Sequence, residues 1–150
     1  MSVVEQVRYL EPGWFTTKIF NRVVHGLTRA GLSVAGSRIL RVRGRTSGEW
    51  RENPVNVLGL DGVRYLIAPR GATQWVRNLR VGGGGELRVG RRTEAFTADE
   101  LPDEVKLPIL REYLRKWGWE VGQFFDGITT ASTDAELAAI APGFPVFRLR

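Results

Sequence analysis

The sequence predicts an α+β domain built on a six-stranded antiparallel β-barrel, and three observations carry that expectation. Short stretches with the β-branched, alternating look of strands follow one another in hairpin order, with turn signals between them. Apolar residues at helical spacing are confined to segments that flank or interrupt this series. With 150 residues, 43% of them hydrophobic and 25% charged, the chain has the size and balance of one folded core rather than of a disordered or fibrous protein.

Taken in order, residues 1–36 are expected to be an N-terminal amphipathic helical segment and 37–150 the barrel, the whole forming one globular domain. From Trp14 to Ala30 the residues Phe15, Ile19, Phe20, Val23, Val24 and Leu27 share one helix face, and Gly31 is the stop. Ser37 to Val42 is the first strand, and Gly44-Arg45-Thr46-Ser47-Gly48 turns the chain. The second strand, Arg51 to Leu60, contains Pro54, which places that part at a sheet edge or a bulge. Asp61-Gly62 is a hairpin turn into the third strand, Val63 to Ala68. Thr73 to Val81 reads as a short helix with Thr73 as N-cap, and Gly82 to Gly85 as a flexible connector. Those four glycines lack the preceding strand and following helix that a dinucleotide-binding loop requires. Two more strands, Glu86 to Gly90 and Arg92 to Ala98, complete a meander. Pro102 to Trp117 has helical spacing with a kink or restart at Pro108. Thr133 to Ile140 is a shorter helix capped by Thr133 or Asp134, and Phe144 to Leu149 is the closing strand.

Composition narrows the chemistry. There is no cysteine, and His25 is the one histidine, which excludes disulfides, iron–sulfur clusters, cysteine nucleophiles and the usual zinc sets. No metal is expected, and any redox chemistry must come from an organic cofactor. The chain contains no apolar run near membrane-spanning length and no secretory pattern, so a cytoplasmic location is expected. Twenty-two basic residues stand against 16 acidic ones, most of the basic ones arginine. Arginine's planar fork suits phosphate and carboxylate. An arginine-rich proteome would give the same total, so the placement of particular arginines says more than their number.

Three places could hold a ligand. The loop Gly44 to Gly48, with Arg51 beyond it, combines two glycines, the hydroxyls of Thr46 and Ser47, and the charges of Arg45 and Arg51, the makings of an anion cradle. The bland alternative is a hairpin loop with solvated arginines. Next, Ala68 to Leu79 joins a strand end, a turn with Arg70 and a helix start whose free amides favour an anion or an electron-rich carbonyl. On that helix Trp75 and Leu79 fit equally well as plain core, whereas Asn78, polar beside an apolar stripe, needs a partner. The third place is the aromatic run Trp117, Trp119, Phe124 and Phe125, either a pocket wall or simple core. His25 reads as a surface or satisfied histidine, and no Ser-His-Asp set is available without it.

Gly44-Arg45-Thr46-Ser47-Gly48, Arg51 and Pro54, Ala68-Pro69-Arg70-Gly71 and Trp75-Val76-Arg77-Asn78-Leu79, in that order and spacing, resemble the deazaflavin-dependent nitroreductase (quinone reductase) family of actinobacteria. The closing Pro145-Val146-Phe147-Arg148-Leu149 is similar to that family's last strand. The resemblance implies a split β-barrel of the FMN-binding type, and the reduced 8-hydroxy-5-deazaflavin coenzyme F420 as cofactor, with FMN as the alternative for this kind of barrel. It further implies that Arg45, Thr46, Ser47 and Arg51 hold the phosphate and oligoglutamate tail. Pro54, Val55, Asn56, Ala68, Pro69, Arg70, Gly71, Trp75, Val76, Arg77, Asn78 and Leu79 would line the deazaflavin end. The implied activity is hydride transfer to a small planar acceptor, a quinone, enone or nitroaromatic, with no catalytic side chain required. Relatives carry tyrosines on the substrate side after the long helix. Here that region holds Trp117 and Trp119, with Tyr113 the nearest phenol, which argues for an apolar acceptor. Barrels of this kind commonly form homodimers. Peripheral contact of the N-terminal helix with the inner face of the membrane is a further reading, its default being to pack on the barrel. A single-stranded nucleic-acid-binding barrel is the remaining alternative; nucleic acid is not the expected partner.

Overall fold

The computed structural model describes residues 37–150 except Asp126. The helix expected over Trp14 to Ala30, its membrane contact and His25 lie outside the described residues. Six strands close into an antiparallel barrel in the order β1-β2-β3-β6-β5-β4. They are β1 (Ser37–Arg43), β2 (Trp50–Leu60), β3 (Val63–Ile67), β4 (Gly84–Val89), β5 (Arg92–Glu100) and β6 (Val146–Leu149). Among the described residues three α-helices accompany them: α1 (Gln74–Gly82), α2 (Leu107–Val121) and α3 (Asp134–Ile140).

The barrel is split because β2 changes partners. Its first half, residues 50–56, pairs with β1 in a register that sets Pro54 opposite Ile39. Its second half, Val57 to Leu60, pairs with β3. Among the described residues no other strand pairs with the first half of β2, so Pro54 sits where a missing N–H interrupts no second ladder. The edge expected from the sequence is there.

The glycine run proves to be more than a connector. Gly82 ends α1, Gly83 caps it at φ 74° with its N–H on the Leu79 carbonyl, and Gly84 and Gly85 are the first residues of β4. A Cβ on Gly84 would lie 2.5 Å from the Phe96 carbonyl oxygen, and one on Gly85 2.5 Å from that of Arg41. Those two positions are glycine because neighbouring backbone already fills the space.

Two cores result. Inside the barrel, Leu40, Val42, Leu66, Leu87, Phe96 and Phe147 pack against Trp75, Val76 and Leu79 of α1. Outside it, α2 and α3 cover Leu58, Ile67 and Val146 with Leu110, Tyr113, Leu114, Trp117, Phe125, Leu137 and Phe144. The segment expected to be one helix from Pro102 divides. Asp103–Val105 is a single 3₁₀ turn, and α2 starts anew with Pro108 in its first turn, where a missing N–H costs no helical bond. The helix runs past Trp117, which has non-helical angles (φ −127°, ψ 15°), and reaches Val121. Lys106, only 3% exposed, fixes this junction by donating to the Ala141 carbonyl at 3.0 Å while pairing with Asp103 at 2.8 Å. Of the two candidate caps for α3, Thr133 is the one used, in a reciprocal capping box with Glu136.

Candidate functional site

The loop between β1 and β2 and the start of α1 are far apart in sequence and adjacent in space. Within the loop, Gly44 N–H donates to the Glu49 carbonyl, Gly48 N–H to the Gly44 carbonyl and Glu49 N–H to Ser47 Oγ. Arg43 braces it from β1 by donating to the Gly48 carbonyl. The Arg45 amide leaves the loop altogether. It donates to Oδ1 of Asn78 on α1 at 3.0 Å, and the Arg45 guanidinium donates to the same oxygen at 2.7 Å. Asn78 is 5% exposed, so this is the partner that a polar residue beside an apolar stripe requires.

On the β2 side, Ser47 and Arg51 converge on Gly44. A Cβ at Gly44 would stand 2.7 Å from Ser47 Oγ and 3.7 Å from Arg51 Nε. Arg45, Thr46, Ser47 and Arg51 are exposed, and neither arginine has a carboxylate partner among the described residues. The result is a loop whose two exposed arginines carry no ion pair among the described residues.

The residues expected to line a deazaflavin end fall into two groups. Pro54, Val55 and Asn56, on the half of β2 that pairs only with β1, are half-buried, as are Pro69, Arg70 and Arg77. Gly71, at φ 84°, donates its N–H to the Ala68 carbonyl and closes the turn before α1. Arg77 Nε donates to the Ala72 carbonyl at 2.8 Å, holding that guanidinium over the same turn. By contrast Ala68, Trp75, Val76 and Leu79 belong to the barrel core, with Trp75 tilted against Phe147 at 6.2 Å between ring centroids. Expected to line the deazaflavin end, they are buried in the core instead.

Thr73 was legible in the sequence only as an N-cap. Its backbone takes that position, yet its side chain makes no cap bond, and its buried Oγ1 has no hydrogen-bond partner. The first turn of α1 contains no acidic residue. An orphaned hydroxyl and a helix start with free amides form a donor-rich wall suited to the carbonyls of a planar heterocycle. Together with the cationic loop, they fit a ligand with a polar ring at one end and a polyanionic tail at the other.

The aromatic segment divides as well. Tyr113 and Trp117, expected on the substrate side, are core residues instead, because the inward face of α2 buries them. Trp117 is 1% exposed and lies 5.3 Å from Tyr113 between ring centroids. Trp119 is 70% exposed. Among the described residues no cluster of histidine, cysteine or acidic side chains is arranged to hold a metal, and no helix is long and apolar enough to cross a membrane.

Solved structures share this fold at low sequence identity. An F420-H2 dependent reductase (FDR-A) superposes with a TM-score of 0.51 at 17% identity, over 77% of this chain and 94% of that one. A protein of unknown function from Agrobacterium tumefaciens superposes at 0.53 with 20% identity, covering 87% of this chain and 54% of its own length. A domain-swapped dimer gives 0.54 at 17% identity, over 93% of this chain and all of that one. No curated protein matches the sequence. FMN, the alternative cofactor, finds no support in these comparisons. The family model of the F420H(2)-dependent quinone reductases matches residues 16–121, a span that takes in β1 to β5, the cationic loop, α1 and α2. The chain is therefore a member of the F420H2-dependent quinone reductase family, an oxidoreductase with an α+β split-barrel fold.

Proposed function

We propose that this chain is a cytoplasmic reductase that binds oligoglutamylated F420H2 between the Gly44–Gly48 loop and the start of α1, and reduces a small planar acceptor, a quinone, enone or nitroaromatic. The observation that carries the reading is the pair of arginines, Arg45 and Arg51, which have no carboxylate partner among the described residues and stand beside the start of α1. When bound, the reduced deazaflavin supplies the hydride.

The chain's own part is binding and orientation. Arg45, Arg51, Thr46 and Ser47 hold the phosphate and carboxylates of the tail by charge and by hydroxyl donation. Thr73, Gly71, Arg77 and the free amides of α1 orient the ring end, with Pro54, Val55 and Asn56 as the opposing wall. Fixing donor and acceptor in this way is worth about 7–11 kcal/mol of barrier when the geometry is productive. The proton that accompanies the hydride comes from water or a hydroxyl, because Tyr113 is enclosed in the core. Similarity to a domain-swapped dimer supports a homodimer as the working assembly.

The test is a fluorescence titration with oligoglutamylated deazaflavin beside FMN at two salt concentrations, followed by an acceptor screen. Saturable binding selective for the deazaflavin and weakened by salt is expected. Equal affinity for FMN, or no deazaflavin binding, would overturn the reading.

A further inference from the structure

Resting on the reading that the anionic tail crosses the Gly44–Gly48 loop, we infer that Asn78 is a positioning residue. It holds Arg45 with an acceptor that carries no charge, so that the guanidinium keeps its full positive charge for the tail.

Two features of the contact lead there. First, Asn78 Oδ1 takes both the main-chain N–H and the guanidinium of Arg45, which fixes the backbone of the loop and the direction of its arginine from one atom. The other loop bonds, from Gly44, Gly48 and Glu49, stay within the loop, so Asn78 is what joins it to α1. Second, the way this arginine is held differs from the way others are. Arg41 is held by Glu52 and Glu86, Arg64 by Glu94, Arg80 by Glu100, Arg111 by Asp134 and Arg150 by Asp99.

An aspartate at position 78 would offer an oxygen in the same place and accept the same two bonds more strongly, because charge-assisted bonds are the stronger kind. It would also cancel the charge that a polyanionic ligand needs. A buried amide gives the rigidity of a fixed arginine without that neutralisation. The neutrality of Asn78 therefore matters for ligand affinity, and its shape for loop order.

The experiment separates these two roles. Asn78→Asp and wild type are titrated at low and high salt with two probes, the oligoglutamylated deazaflavin and the tail-free deazaflavin riboside. Asn78→Asp should lose about three- to tenfold in affinity for the tailed probe at low salt, as expected for one neutralised and partly exposed charge. Its affinity for the tail-free probe should stay within about twofold, and its salt dependence should be shallower. Arg45→Met, which keeps the backbone bond to Asn78, should lose a tail-dependent increment of the same size, since it too removes one positive charge from the loop. Unchanged affinity of Asn78→Asp for the tailed probe, or equal weakening for both probes, would overturn the inference. Should Asn78→Asp not fold, Arg45→Met decides: an undiminished preference for the tailed probe overturns it. Wild-type protein that binds neither probe overturns the proposed function itself, and this inference with it.

Discussion

The positive loop beside α1 and the charged outer surface of the barrel use the same residue type in opposite ways. On the outer surface Arg64 makes a two-pronged contact with Glu94, Arg80 does the same with Glu100, and Arg41 lies between Glu52 and Glu86 while stacking over Trp50. At the loop, Arg45 meets an amide, Arg43 and Arg77 meet carbonyls, and Arg51 leans over a glycine. Strand register sets Glu52 and Glu86 opposite Arg41, whereas no carboxylate pairs with Arg45 or Arg51 among the described residues. Total charge therefore says little about function here, and local imbalance says a good deal.

The largest effect that would sharpen this comparison lies away from both regions. Trp117→Ala should destabilise the protein by about 3–5 kcal/mol, since it empties a fully packed aromatic site, while Trp119→Ala should change stability by less than about 0.5 kcal/mol. Urea melts of both variants measure the difference. A mild Trp117→Ala would return that ring to the candidate pocket.

Next in size, Arg51→Ala should weaken binding of the tailed deazaflavin about tenfold at low salt, the scale of one charge-assisted contact, while Arg150→Ala, whose side chain pairs with Asp99, leaves it unchanged. Equal affinities in the titration would put the groove elsewhere. The smallest effect concerns a compensated pair. Hydrogen bonds from Arg64, aided by the charges of Arg64, Arg92 and Arg38, hold the Glu94 carboxyl below its ordinary range. A folded-state value below the unfolded one gives stability that is present above the ordinary carboxylate range and lost as pH falls through the depressed value. For a group this exposed, screening limits the contribution to about 0.5 kcal/mol. Melts of wild type and Glu94→Gln should accordingly differ slightly at pH 7 and converge in acid, and a gap that widens on acidification would contradict the assignment.

Much of the fold was legible because its signals are local. Asp61-Gly62 signalled a hairpin, Pro54 an edge or a bulge, and Thr133 or Asp134 a helix start. What escaped depends on distant backbone. Nothing near Gly84 and Gly85 shows that the carbonyls of Phe96 and Arg41 will press on them, so a glycine run read locally becomes a connector rather than a strand. The site divided along the same line. Arg45, Ser47 and Arg51 could be named from the loop's chemistry, and Asn78 from its place on an apolar stripe. That Asn78 and Arg45 meet is a fact of barrel closure, invisible to spacing. Tyr113 and Trp117 were assigned outward on a resemblance, although their spacing of four is that of a buried helix face.

The short strand β6 has a consequence for how the molecule assembles. It is inserted between β3 and β5, pairing Leu149 with both Arg64 and Ala98, and thus joins segments that are remote along the chain. Hairpins such as β4-β5 can form early from neighbouring residues, but the ring cannot close until β6 arrives, and that step carries the largest loop-closure entropy. Until then β3 and β5 present open edges to any other chain. Docking of this one four-residue strand is therefore the step expected to be slow, and exchange of that strand between two copies is the misassembly that the topology leads one to expect.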